Sequence, residues 1–421
     1  MSHYKAYPEC KESGAELIGN IPKDWELKRL RHVAIFNNSN VDKKSYDDQA
    51  DVKLCNYTDV YYNEFITPDL EFMNATASES EIEKFRLAEG DVIITKDSED
   101  PNDIGIPALV KQDMHDVVCG YHLTVIKSHE FDLSGFIHRS IQSHPTKAHF
   151  FVESPGITRF GLDQDAIGDI PVCIPPKEHR STIVSAINTE INRINTLITK
   201  KTRFIELLKE KRQALITHAV TKGLNPDVKM KDSGVEWIGE VPEHWQIAQL
   251  RRLVSINNGS DHKAIEADEG FPVYGSGGAF AYATDYIYDG ESVLLGRKGT
   301  IDKPLYVNEK FWTVDTMYWT KIMPIANGKF CYYVAKTIPF DYYASNTALP
   351  SMTQTDLGSH VVAFPDKVEQ SLIASALDRE TSRIDTLISK TLKSISLLKE
   401  RRSAFITAAV TGQIDLRGEP V

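Results

Sequence analysis

The stretch SGAELIGNIPKDWELKRLRHVAIFNN, Ser13 to Asn38, returns as SGVEWIGEVPEHWQIAQLRRLVSINN, Ser233 to Asn258, an offset of 220 residues. A second pair lies outside it: Ile183 to Thr221 carries RINTLITK…ELLKEKRQALITHAVT, and Ile373 to Thr411 carries RIDTLISK…SLLKERRSAFITAAVT, 190 residues on. Between the members of these pairs lie two stretches that do not resemble each other. The pattern is a duplicated scaffold carrying two divergent inserts, and its period is far too long for a solenoid.

Each half therefore has one order. A Gly/Pro/Trp entry comes first (Ile18, Gly19, Pro22 and Trp25; Ile238, Gly239, Pro242 and Trp245), then the divergent region, then a Pro-marked junction (Ile174-Pro175-Pro176; Phe364-Pro365), then a long helix. The resulting segments are 1–174, 175–223, 224–364 and 365–421.

The helices carry the clearest periodicity. Ile187, Ile191, Ile194, Ile198, Lys201, Ile205, Leu208, Arg212, Leu215 and Ala219 are spaced by alternating steps of four and three. Leu377, Thr381, Ile384, Ile388, Thr391, Ile395, Leu398, Arg402, Phe405 and Ala409 repeat that spacing. This is a heptad seam. Pro175 and Pro176 suit a helix start, and Asp366 with Glu369 suits a capping box. Gly223 and Gly412 supply the stops. A helix of about 43 residues is roughly 65 Å long. Its apolar stripe needs a partner, and the simplest partner is its own repeat.

The divergent regions read as mixed α/β. Strands are expected at Asp91–Lys96, Val117–Lys127, Ser292–Arg297 and Phe311–Ile322, with Cys331–Lys336 either a strand or the start of a helix.

Composition sets outer limits. With 421 residues the chain fits two or three domains, and 41% hydrophobic with 25% charged residues is ordinary for a globular protein. No apolar run reaches a membrane span and no leader is visible. Cys10, Cys55, Cys119, Cys173 and Cys331 are scattered and do not spell a zinc or disulfide framework, so a reducing cytoplasm is the expected location. The net charge is −11, which taken alone argues against nucleic acid. By region the balance differs: Lys177–Lys222 has ten Lys and Arg against four Asp and Glu, and Lys367–Gly412 eight against five. Ser39–Cys173 has eleven against twenty-five, and Gly259–Ala363 eight against twelve. The repeated helices are basic and the divergent regions acidic.

No catalytic motif stands out. Tyr274-Gly275-Ser276-Gly277-Gly278 is not GxGxxG, there is no P-loop, and the Asn/Asp-Pro-Pro-aromatic loop of adenine methylation is missing. Asp97-Ser98-Glu99-Asp100 is expected to be a solvated acidic loop. Binding is what remains. Lys96, the turn at Thr158-Arg159, Tyr274 and Ser276, the pair Arg297-Lys298, and the polar turn with Asn346 and Ser351 are candidate DNA contacts. Arg pairs with guanine edges, Asn with adenine, Lys and Thr with phosphate.

The layout resembles the specificity subunit of type I restriction-modification systems over essentially the whole chain. The residues that carry the likeness are the IGxxPxxW entries, the junctions Pro175-Pro176…Glu178-His179 and Pro365…Glu369-Gln370, and the RIxTLIxK signatures (Arg193–Lys200, Arg383–Lys390). The segments LAEGDVIITK (Leu87–Lys96) and FPVYGSGGAF…VLLGRKGT (Phe271–Thr300) also resemble that family's target-recognition domains. The resemblance implies a mixed α+β fold in which two target-recognition domains are joined by two long antiparallel coiled-coil helices with a pseudo-two-fold repeat. Each domain would read one half of a bipartite, asymmetric site in double-stranded DNA, and the helices would set the spacer. Two modification subunits would bring S-adenosylmethionine and adenine methylation, and restriction subunits ATP and Mg. This chain would itself hold no cofactor or metal and catalyse nothing. Two other functions stay open: a coiled-coil scaffold binding only protein, and the DNA-recognition part of a fused restriction-methylation enzyme.

Overall fold

The computed structural model describes residues 4–343 and 350–418. The chain forms two compact units: Met1–Lys200 with Ser394–Val421, and Lys201–Lys393. Each contains one entry, one divergent region and half of each long helix.

The entries fold alike. In the first unit Cys10–Glu12 pairs antiparallel with Asn20–Pro22; in the second, Met230–Asp232 pairs with Glu240–Pro242. Gly19 (φ +71°) and Gly239 (φ +66°) turn the chain between these strands, and no atom lies within 4 Å of a Cβ added at either, so conformation and not space calls for glycine there. Trp25 and Trp245 are fully buried. The strand after each entry then pairs with the strand before the long helix: Glu26–Arg29 with Pro171–Ile174, and Gln246–Gln249 with Val361–Phe364. Both ends of each divergent region are thereby clamped together, so the region is an insertion on a closed base.

The inserts differ, and both are mixed α/β as expected. The first has a five-stranded sheet in the order Ala34–Asn38, Leu123–Ser128, Val92–Thr95, Pro107–Val110, Phe65–Ile66. Beside it lies a three-stranded sheet of Val117–Cys119, Ala50–Cys55 and Met73–Ala77. The expected strand Val117–Lys127 is thus two strands in two sheets. The break falls at Gly120, whose N–H donates to Cys55 O at 2.9 Å and where a Cβ would come within 2.7 Å of that oxygen. The second insert has a seven-stranded sheet running from Val254–Asn258 to Glu266–Ala267. Phe311–Ile322 divides between strands Leu305–Thr313 and Met317–Ile322. Cys331–Lys336 falls on a helix, Gly328–Ala335, whose start is capped by the Asn327 side chain accepting from Phe330 N.

The long helices run over Lys177–Lys222 and Lys367–Val410, 46 and 44 residues. In the first unit Ile183, Ile187 and Ile191 share an apolar cluster with Phe405, Ile406 and Ala409, and Arg401 pairs with Glu190 at 2.8 Å. In the second, Ile216, Ala219 and Val220 cluster with Ile373, Ala374 and Leu377, and Arg212 pairs with Asp385 at 2.6 Å. In both units the early half of one helix lies with the late half of the other, an antiparallel pairing. Every seam position, from Ile187 to Ala219 and from Leu377 to Ala409, is buried or half-buried.

The capping box expected at Asp366 is only half formed. Asp366 Oδ1 accepts from Glu369 N at 2.9 Å, but the Glu369 carboxylate turns away to His244 Nε2 (2.8 Å) and Trp245 Nε1 (3.2 Å). It ties the second entry to the helix start instead of closing the cap. Gly223 (φ +75°) and Gly412 (φ +69°) end the helices in the left-handed region.

Acid sensitivity is built into the second unit. His360 is 4% exposed, its Nδ1 lies 2.9 Å from the Tyr343 hydroxyl, and burial pushes its pKa down to about 4. The unfolded chain binds this proton near the ordinary value of about 6.5. Its contribution is therefore fully present above pH 6.5 and is lost as pH falls toward 4. We expect urea-unfolding stability to drop by up to about 3 kcal/mol over that window. His360→Asn, which keeps an acceptor for Tyr343, should flatten the slope; an unchanged slope would exclude His360 as its source.

Candidate nucleic-acid interface

In the first unit the fold gathers residues that are far apart in the chain. Lys96 and Asp97 directly follow the central strand Val92–Thr95, and the two-residue strand Asp97–Ser98 pairs with Phe160–Gly161. That pairing brings the loop of Thr158 and Arg159 over the end of the sheet. Arg159 Nη2 donates to Asp97 Oδ1 at 2.7 Å. His122 Nδ1 lies 2.8 Å from Asp97 Oδ2, and Arg159 Nη2 lies 3.0 Å from the same ring nitrogen. His122 Nδ1 thus faces a carboxylate acceptor and a guanidinium donor together, and it can serve only one of them at a time. The Asp97 hydrogen bond raises the Arg159 pKa further above its ordinary value. Arg159 Nε and Nη1 have no partner among the described residues.

Glu99 and Asp100 of the acidic loop are exposed as expected, but Asp97 is drawn in as a structural acid. The Asp97 side chain is 17% exposed and holds two cationic or polar partners, because the strand pairing with Phe160–Gly161 draws it inward. A cavity of about 410 Å³ opens beside it, lined by Tyr57, Tyr61, Asp97, His122 and Arg159. Tyr57 and Tyr61 stack at 5.6 Å, Tyr61 donates to Asp103, and Lys96 Nζ sits 4.5 Å from the Tyr121 ring centroid. Tyr57 and His122 carried no sequence signal, and Asp97 was read only as part of an acidic loop; each becomes a site residue through a contact that only the folded sheet makes. Thr158 is exposed, next to Arg159 in the chain.

In the second unit Arg297, Lys298 and Ser351 come together. Lys298 and Ser351 form an isolated antiparallel bridge, and Met352 N donates to Arg297 O at 3.0 Å. The Arg297 guanidinium donates to Asp315 O at 3.2 Å and lies 5.9 Å from the Tyr318 ring. Tyr274 and Ser276 lie on and just after strand Phe271–Gly275, where Tyr274 O accepts from Val314 N at 3.2 Å, and the Tyr274 hydroxyl is committed to Glu309 at 2.5 Å. Asn346 lies outside the described residues.

Both units thus pair a duplicated helix-and-entry base with an unlike, arginine-bearing insert, the architecture of a duplicated scaffold with two divergent domains. The family model described as type I restriction modification DNA specificity domain matches residues 22–207 and 242–397, and the chain belongs to that family. It is 20% identical over 420 residues to the type I restriction enzyme MjaX specificity subunit of Methanocaldococcus jannaschii, covering 95% of this chain and 96% of that protein. The EcoDI specificity subunit of Escherichia coli is 23% identical over 179 residues, 42% of this chain and 40% of that protein. Among solved structures, a chain from a study of complex assembly and conformational transition of the type I R-M system matches with a TM-score of 0.73 at 14% identity, over 94% of this chain and 99% of that one. The HsdS subunit from Thermoanaerobacter tengcongensis matches at 0.55 and 14% identity, over 96% and 100%. These likenesses show a shared fold. Among the described residues no helix is long and apolar enough to cross a membrane.

Proposed function

We propose that each insert of this specificity subunit reads one half of a bipartite, asymmetric site in double-stranded DNA, and that the paired helices set the distance between the halves. The observation that carries this is one scaffold repeated under two different polar sites: Arg159 held by Asp97 beside His122 in the first unit, and Arg297 with Lys298 beside Ser351 in the second. A repeated base fits a repeated ligand geometry, the DNA backbone. Unlike arginine sites fit unlike sequences, because base edges differ while phosphates do not.

The chain works without catalysis of its own. Adenine methylation with S-adenosylmethionine belongs to modification subunits docked on it, and ATP- and Mg-dependent steps to restriction subunits, in the cytoplasm. The long helices offer a surface for such docking: Phe204, Leu207, Leu387 and Leu392 in the second unit are large, apolar and exposed.

Sequencing the methylome of cells that express the chain with its modification partner tests this. A two-part motif with unlike halves is expected. Arg159→Ala should relax one base position in one half, by about 1–3 kcal/mol of discrimination, and leave the other half intact. A complex that binds its protein partners but neither binds nor methylates DNA would instead support a scaffold that binds protein alone.

A further inference from the structure

The first unit holds a larger cavity, about 540 Å³, where its insert meets the long helices. Its walls bring together Lys147 of the insert, Asn195 of the first long helix, and Lys399 and Arg402 of the second. Two carboxylates stand near: one is already shared between two arginines, and the other is held by a neutral hydroxyl and still attracts Lys147. Glu64 is shared between Arg139 and, at 3.0 Å, Arg402; Asp103 accepts from Tyr61. Among the described residues Lys147 and Lys399 have no ion-pair partner. Arg402 Nε is buried without a hydrogen-bond partner. Desolvation first, then repulsion from Arg402, holds the Lys147 amine below its ordinary pKa, against a smaller pull from Asp103. Cations crowded around water-accessible space, with an orphaned donor among them, lack an anion.

We propose that this cavity seats a phosphate of the DNA backbone, so that the second long helix grips DNA as well as spacing its readers. The inference rests on the DNA reading above and adds a contact outside the inserts. Tyr61 and Tyr62 line both this cavity and the one beside Arg159, which places the phosphate site next to the base-reading site. It also accounts for how an acidic insert holds a polyanion: two of the three cations come from the basic helix. The chemistry asks for a tetrahedral oxyanion, which a lysine pair binds as point charges and an arginine by its fork.

The test uses the full chain in complex with its modification subunits, on the duplex that methylome sequencing identifies and on an unrelated duplex. Each phosphate contact contributes about −0.9 to the slope of log K against log salt. Losing the one phosphate contact through Lys147→Gln combined with Lys399→Gln should shrink the slope by about one, and each single variant by less. Between about 50 and 200 mM KCl the double variant should then lose roughly three- to fourfold less affinity than the parent. Both duplexes should weaken alike, the methylated sequence should not change, and Lys399→Arg should keep the parental slope. An unchanged slope in the double variant, or weakening confined to the cognate duplex, overturns the proposal. Melting the unbound chain in inorganic phosphate against chloride at matched ionic strength separates the sources. Stabilisation by phosphate that the double variant abolishes, with the DNA slope untouched, would assign the cavity to a free anion and also overturn it. A parent complex that binds no DNA would overturn the proposed function itself, a distinct result.

Discussion

Deleting residues 196–199 from the first long helix together with 395–398 from the second is expected to shorten the unspecified gap in the methylated sequence by one to two base pairs, with both half-sites unchanged. The two helices are continuous over 46 and 44 residues, so a length change in their middle is carried to both ends. Four residues remove about 6 Å of helix, against 3.4 Å per base pair. One turn takes about 3.6 residues, so the cut rotates the downstream part of each helix by only about 40° and keeps the apolar faces near their partners. Both cuts lie in the first unit, where Asn195 and Lys399 line the same cavity, so the facing stretches shrink together. Methylome sequencing reads the gap directly, and a matched four-residue insertion should lengthen it. A gap that stays the same in both variants would show that the helices do not set it.

Glu64→Ala should destabilise the first unit by about 3–5 kcal/mol. Its side chain is 23% exposed, but that of its partner Arg139 is only 2% exposed. Arg139 also donates to Asn188 Oδ1 at 3.0 and 2.6 Å and to Gln142 Oε1 at 2.9 Å. Those neutral partners orient the guanidinium without balancing its charge. Removing the carboxylate leaves a buried cation and also releases Arg402, which Glu64 ties to the insert. The pair Glu64→Leu with Arg139→Met should recover much of the loss, because a buried ion pair and a packed apolar pair of similar volume are often equivalent. Chemical denaturation measures both. A Glu64→Ala loss under about 1 kcal/mol would mean that water reaches Arg139 and that the network is a surface one.

Features set by local pattern were legible in the sequence. The seam from Ile187 to Ala219 and from Leu377 to Ala409 follows from helical period alone. The entries around Trp25 and Trp245 follow from their repetition. Sheet pairing at a distance was not legible: nothing local tells that Gly120 must break the strand begun at Val117, or that Asp97 will be drawn under Arg159 by the pairing with Phe160–Gly161. Glu369 shows a correct local rule losing to a tertiary partner. Its spacing from Asp366 suits a capping box, yet Trp245 and His244 claim its carboxylate. The candidate sites were visible as arginines and lysines in turns; their company, which gives them chemistry, was not.

The late end of the second long helix closes the core that the N-terminal segment opens. Tyr4 meets Phe405 with ring centroids 5.4 Å apart, Lys5 O accepts from Asp415 N at 2.8 Å, and a Cβ at Gly412 would strike Pro22. Phe405, Ile406, Ile414 and Leu416 are thus built into a hydrophobic interior whose other walls are translated hundreds of residues earlier. During synthesis the second unit, one unbroken stretch, has all its parts before the first unit does. The first unit waits with apolar surface open until the ribosome has passed residue 416, so a premature stop late in the message disables the earliest-made part of the protein first.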